Sequence, residues 1–434
     1  MDWPRKSPEM NDKDRRIFRY DARSNTIVKL RTNSVDQTIW ETSSSEDMLQ
    51  WLEQVEPLDC NFQTQETVVI LAGRAEDNYP GGAHNPALLM YLPFCKKGFD
   101  IVFRKFHIHG SIVRTVNRGY PIFSRTLLKL GTPLEPAIVY NCRTSHEWPG
   151  DLALSMTYFP LRKVSYGVLY GCDAEIKKAI LARLHNSEDA ACHPLLLIGI
   201  FTELERKRQL NLVQDGLDAL HDAILNLSMP AGESGNVEGD GELSTTHAID
   251  SWLNIHHLKN SLECWKEQLA KIAAHVDELS ETWFNLVPSD SDDERTEKCQ
   301  VREVGKRIKE RILEIVCDYD GKIRECVMIM EGMNLATQMA HAGANIEIAA
   351  AAKTDSSQMK TIALVTMVFL PATFVASLFS MTFFDWNPPK GEHMSPEIWI
   401  YVIIAVGLTL LVVGLWYMII RRTTQRKSIA NVAV

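Results

Sequence analysis

The sequence predicts an α+β domain followed by a long stalk helix and two C-terminal membrane-spanning helices. Three observations carry that reading. Two C-terminal runs, Thr361 to Phe384 and Ile398 to Ile420, contain no charged residue. Upstream of them, from Thr296 to Pro371, no other proline interrupts an apolar pattern at helical steps. The region before about residue 170 instead alternates β-branched runs with Gly- and Pro-rich punctuation.

Residues 1–16 mix both charge signs around no apolar stretch and read as disordered rather than as a secretory signal. The domain that follows is therefore expected on the cytosolic side. In the α/β region, 17–170, the runs TVVILAG (67–73), FDIVFRKFHIHG (99–110) and PAIVYNC (136–142) read as strands, and SEDMLQWLEQV (45–55) as a short helix. NYPGGAHNP (78–86) marks a loop. Residues 171–295 read as helical, carried by 172–184, 194–227 and 247–283, where apolar residues recur at three- and four-residue steps. Gly-, Ser- and acid-rich segments at 230–246 and 288–294 read as flexible loops. The stalk helix occupies 296–360; Ile308, Ile312, Val316, Tyr319, Ile323, Val327 and Met330 form one face of it.

Each charge-free run exceeds the ~18–20 residues needed to cross a bilayer core. The first span is 361–384, the connector 385–397 and the second span 398–420, ahead of a basic tail, 421–434. That tail opens with Arg421, Arg422, Arg426 and Lys427, a cluster that the positive-inside rule keeps cytosolic. The connector carries Asp385, Glu392 and Glu397 against Lys390 alone. Both termini inside and an acidic hairpin outside is the consistent topology.

A net charge of −9 argues against nucleic acid as a partner. Nine scattered cysteines with no Cys-x-x-Cys pair fit reduced thiols, not a disulfide framework or a zinc site. No nucleophile–base constellation and no phosphate loop is visible, so no enzyme activity is expected. Gly73 and the glycines of 81–82 lack the accompanying Lys-Ser/Thr pair. His107 and His109, two apart in an expected strand, would share a side but have no third ligand. His256 and His257 are neighbours on a helix and point about 100° apart. The Glu203–Arg206 sequence, ELER, reads as a solvated helix face.

Setting 100° per residue from Thr366 places Met359, Ile362, Thr366, Leu370, Thr373, Ser377 and Ser380 within about 40° of one line. Four of these seven carry hydroxyls. Such a stripe either bonds to backbone and neighbouring helices or lines a narrow wet pathway. Two helices cannot enclose a pathway, so a pore requires a homo-oligomer with one first span per subunit. Neutral oxygens suit an ion that keeps its hydration shell, as Mg²⁺ does. Asp385, Glu392 and Glu397 would concentrate cations at the outer mouth.

The segment MKTIALVTMVFLPATFVASLFSMTFFDW (359–386), followed by a short acidic loop and a second span, resembles the CorA family of divalent-cation transporters, in particular its fungal members. The resemblance implies a CorA-like homopentamer with a funnel-shaped cytosolic domain and a stalk helix continuous with the pore helix. Its partners would be further copies of itself and the lipid bilayer. It implies no cofactor; Mg²⁺ or another divalent cation would be the transported ion and, between cytosolic domains, the regulatory one. Pro371 and Thr373 match the family's mid-span Pro-x-Thr, as kink and pore lining. The family's Gly-Met-Asn filter, however, is replaced by Ser380, Met381 and Thr382. Thr offers a shorter acceptor than an Asn carbonyl, and Ser380 adds a Cβ beside the axis. The alternative is a membrane-anchored scaffold or sensor that keeps the CorA architecture without conducting.

Overall fold

The structure is a computed structural model that describes residues 9–10, 12–31, 38–54, 66–74, 88–131, 134–187, 190, 193–228, 240–282, 292–380 and 398–432. It divides into two compact units, Met1–Ala336 and Thr337–Val434.

In chain order the first unit contains α1 (Asp12–Arg15), β1 (Arg19–Tyr20), β2 (Asn25–Arg31), β3 (Thr38–Thr42), α2 (Ser45–Gln54) and β4 (Glu66–Gly73). A 3₁₀ turn precedes β5 (Tyr91–Leu92), α3 (Lys96–Lys105) and α4 (Ile112–Val116). Then follow β6 (Ile122–Leu130), β7 (Glu135–Arg143), β8 (Ala153–Phe159), β9 (Val164–Cys172), α5 (Ala174–His185), α6 (Leu196–Ser228) and α7 (Asp240–Glu281). Helix α8 (Asp292–Phe379) begins in this unit and ends in the second, which also holds α9 (Ile398–Val432).

Seven strands form one sheet in the order β3-β2-β4-β9-β8-β7-β6, and β1 pairs with β5 separately. Within the large sheet only β4 and β9 run parallel, with Val69 opposite Gly167. The near-continuous apolar run of β4 follows from its position, because helices cover the sheet on both faces. Alternation then divides its side chains. Val69 and Leu71 join the core formed with α5 to α8, including Phe201, Trp265, Ile312 and Tyr319. Val68 and Ile70 join the opposite core under α2, α3 and α4, with Leu52, Phe99, Val102 and Ile112.

On α8, Ile312 and Tyr319 are fully buried, with Ile308, Val316, Ile323 and Met330 at the margin of the core. Ile315, Cys326 and Met333 complete the buried line. The face is therefore the expected one, rotated slightly away from Val327.

Several expectations are corrected. Residues 99–110 are not a strand: they hold most of α3 and the turn after it. The side chain of Cys95 caps that helix, accepting from the Gly98 N–H at 3.3 Å. Phe99, Val102 and Phe106 then fall on one buried helical face, a 3.6-residue period that outweighs the apolar content read as β. His107 ends the segment at φ +49° with its ring edge-on to Phe159, while His109 bonds Ser111 Oγ at 2.7 Å. They share no strand face. Residues 240–246 and 292–294, expected as loop, open α7 and α8. Part of 1–16 is structured as α1, tied down by an Arg15–Asp100 ion pair. Glu205 in ELER is buried, not solvated. The seven described cysteines are free thiols.

Candidate functional site

Stretches within Lys298–Leu378 and over Trp399–Met418 are long and apolar enough to cross a membrane, with mean hydropathies of 2.0 and 2.4. In the second unit α8 and α9 touch through one side of each. Pro371 and Val375 of α8 are buried, as is Ala405 of α9. The Tyr401 hydroxyl lies 3.5 Å from the Ala372 carbonyl oxygen, in position to donate to it. On the wheel from Thr366, Pro371 and Val375 fall at about 140° and 180°, opposite the hydroxyl line.

The seven residues of that line all lie exposed on the single chain, Ile362 at 67% and Leu370 at 61% against 2% for Val375. Thr366 donates its hydroxyl hydrogen to the Ile362 carbonyl at 2.8 Å. Thr373 reaches the carbonyls of Phe369 and Leu370, each at 3.0 Å. That bond lies beside Pro371, whose missing N–H interrupts the helical ladder. With their hydrogens turned to the helix, both threonines present oxygen lone pairs outward. These accept from water and offer nothing to an anion. No acid or base lies between Thr361 and Ser380.

Ser380 sits in the turn after α8, its N–H on the Ala376 carbonyl at 3.0 Å. Met381, Thr382, Asp385, Glu392 and Glu397 lie outside the described residues. Helix α9 continues past the second span, so Arg421 and its basic neighbours are helical. Among the described residues no group of three or more His, Cys, Asp or Glu is placed to share a metal ion.

A concentration of charge that sequence reasoning missed lies in the first unit. Asp151, fully buried, accepts from Arg143 NH2 at 2.7 Å and Arg74 NH2 at 2.6 Å. Burial alone would raise its pKa; the two guanidiniums outweigh burial and hold the carboxyl below its ordinary range. Nearby Arg208 grips buried Glu205 through two nitrogens at 2.8 and 2.9 Å and donates to the carbonyls of Ser145, Trp148 and Pro149. Arg74 and Asp151 stand 77 positions apart, so no local pattern announces them.

A family model described as CorA-like Mg2+ transporter protein matches residues 344–422. "Notoamide biosynthesis cluster protein M'" of Aspergillus versicolor is 42% identical over 62 residues, 14% of this chain and only 14% of that protein's length. Among solved structures, the full-length CmaX protein is similar at a TM-score of 0.43 and 12% identity, covering 92% of this chain and 98% of that one. The CorA magnesium transporter from Methanocaldococcus jannaschii is similar at 0.36 and 12%, covering 90% and 96%. The matched family segment includes the exposed hydroxyl face, the Pro371 contact and the whole second span. Over residues 344–422, which take in both apolar stretches, this chain is thus similar to the CorA-like Mg2+ transporter family.

Proposed function

We propose that this protein conducts a divalent cation, Mg²⁺ or a close relative, passively through a homopentameric pore lined by the first span of each subunit. The observation that carries the reading is the division of α8 into two opposite faces. Pro371 and Val375 pack on α9; opposite them the hydroxyl line, with Ile362, Thr366, Leu370 and Thr373, is open on the single chain, as is most of the span. A ring of copies turns that line onto a shared axis, where its outward oxygen lone pairs face water. Met359, Ser377 and Ser380 extend the lining, and Asp385, Glu392 and Glu397 would form the outer acidic mouth. The transported ion enters as substrate, held through its own water shell by neutral oxygens. Both termini are assigned to the cytosol.

The Ser380-Met381-Thr382 segment in place of Gly-Met-Asn favours a second reading, a non-conducting scaffold or sensor of the same architecture. Proteoliposomes loaded with a divalent-sensitive dye distinguish the two, with Mg²⁺, Co²⁺, Ni²⁺ and Zn²⁺ supplied separately. Uptake of at least one cation under an inside-negative potential is expected. A verified pentamer that passes none of them would leave the scaffold reading.

A further inference from the structure

A cleft of about 1200 Å³ opens at the carboxyl ends of β4 and β9, the parallel pair of the large sheet. Gly73 and Arg74 leave β4 there; Cys172 and Asp173 leave β9 and lead into α5. In open sheets the carboxyl ends of parallel strands form the crevice in which ligands bind, since the connections diverge from it. The volume admits a ligand of nucleotide size.

Among the described residues the surplus positive charge of the cleft lies at one level, beside Arg74, while the rim mixes both signs. Arg74, which lines the cleft, shares the single carboxylate of Asp151 with Arg143, so one guanidinium charge has no counterpart within that trio. The neighbouring Arg208–Glu205 pair neutralises itself and does not supply the missing charge. At the rim stand Lys177 and Lys178, opposed by Glu41 and Asp173, while Arg23 is already paired with Asp21 at 2.7 Å. Asp173 is already engaged, accepting from the Ile176 N–H at 2.7 Å as the cap of α5. The helix end is therefore satisfied, and what remains to hold an anion is the set of cationic side chains. Lys177 reaches across the cleft to the Ser24 carbonyl at 3.3 Å, a long contact that an anion would readily replace. Lys178 is exposed beside it.

We propose that this cleft binds a small phosphate-bearing anion of nucleotide class, with Lys177 and Lys178 on its phosphates and the surplus charge of the Arg74–Asp151–Arg143 trio beside them. Among the described residues the cleft has no acidic cluster to take a bound cation along with the ligand. Charge complementarity therefore favours the metal-free polyphosphate over its divalent-cation complex. Binding would be strongest when free divalent cation is scarce.

The test is titration calorimetry on the full-length protein in nanodiscs of zwitterionic lipid, which supply no net anionic headgroup as competitor. ADP, inorganic pyrophosphate and adenosine are the probes, first without divalent cation and then with excess Mg²⁺. ADP is expected to bind more tightly than pyrophosphate, adenosine not at all, and both salt and Mg²⁺ to weaken the ADP signal. Lys177→Glu with Lys178→Glu should weaken ADP about tenfold, ~1.4 kcal/mol. Lys306→Glu, an exposed reversal on α8, should leave it unchanged. Absence of ADP binding to the parent, or equal binding by the double variant, overturns the proposal. Pyrophosphate binding as tightly as ADP overturns the nucleotide class. If the double variant unfolds, Lys177→Gln with Lys178→Gln tests the same charges without reversal, and no loss of ADP affinity there is equally fatal.

Discussion

The Nδ1 atom of His275 on α7 lies 2.8 Å from Arg125 NH1 on β6. A guanidinium only donates, so Nδ1 is an acceptor and Nε2 carries the ring hydrogen, 2.9 Å from the Tyr140 hydroxyl oxygen. The imidazole is thereby held neutral. Burial is the main cause of its lowered pKa and Arg125 adds to it, against the opposing pull of Glu278 at 3.2 Å. Close by, burial and then His275 push His193 down to about 3.

This geometry makes stability fall in acid. For a histidine whose folded pKa lies below its unfolded value of 6.5, the unfolded chain takes up the proton first. The two states bind protons equally above 6.5, and stability is lost as pH falls from there toward about 3. The slope should reach up to about 1.4 kcal/mol per pH unit for each such group. Denaturant midpoints of the full-length protein, measured from about pH 7 down to pH 4.5, should decline. Replacing His193 with Gln should flatten the decline; a variant that keeps the parent's slope would remove His193 from the account.

Asp151→Asn leaves Arg74 and Arg143 buried without their shared carboxylate. The expected cost is about 3–5 kcal/mol, since one partner is removed and the charges stay behind. Thermal unfolding reads it directly. Asp47→Asn, on the exposed first turn of α2, is the matched control and should shift stability by under ~1 kcal/mol.

Thr366→Val with Thr373→Val keeps shape and deletes two outward oxygens per subunit. Divalent uptake by proteoliposomes should drop about tenfold, ~1.4 kcal/mol in the barrier, with the oligomer intact. Unchanged uptake would remove these hydroxyls from the pathway.

Ser380→Gly with Thr382→Asn restores the family's Gly-Met-Asn. Competition of Mg²⁺ against Co²⁺ and Ni²⁺ in the same assay should shift toward Mg²⁺. Identical competition curves for parent and double variant would locate the filter elsewhere.

Much of this was legible in the sequence because it is periodic. The β-branched run of β4, the three- and four-residue steps through Ile312 and Tyr319, and the uncharged spans are local patterns that backbone geometry imposes. The hydroxyl line on α8 belongs to the same class, and so does the opposition of Pro371 and Val375 to it. What stayed hidden depends on partners distant in the chain. Nothing near Asp151 announces Arg74, and nothing near His275 announces Tyr140. The α3 error has a different origin: with Cys95 unrecognised as a cap, apolar content decided where period should have. Glu205 looked solvated because its neutralising Arg208 and its burial under Tyr319 belong to tertiary structure.

The hydrogen bonds of Thr366 and Thr373 to their own helix have one more consequence. A face whose polarity comes from hydroxyl oxygens has no group to titrate, so its preference for cations does not fade with acidity. Acid would reach this protein through the histidines of the first unit, as a loss of folded molecules. In the proposed pore, the molecules that stay folded keep the same lining at every pH.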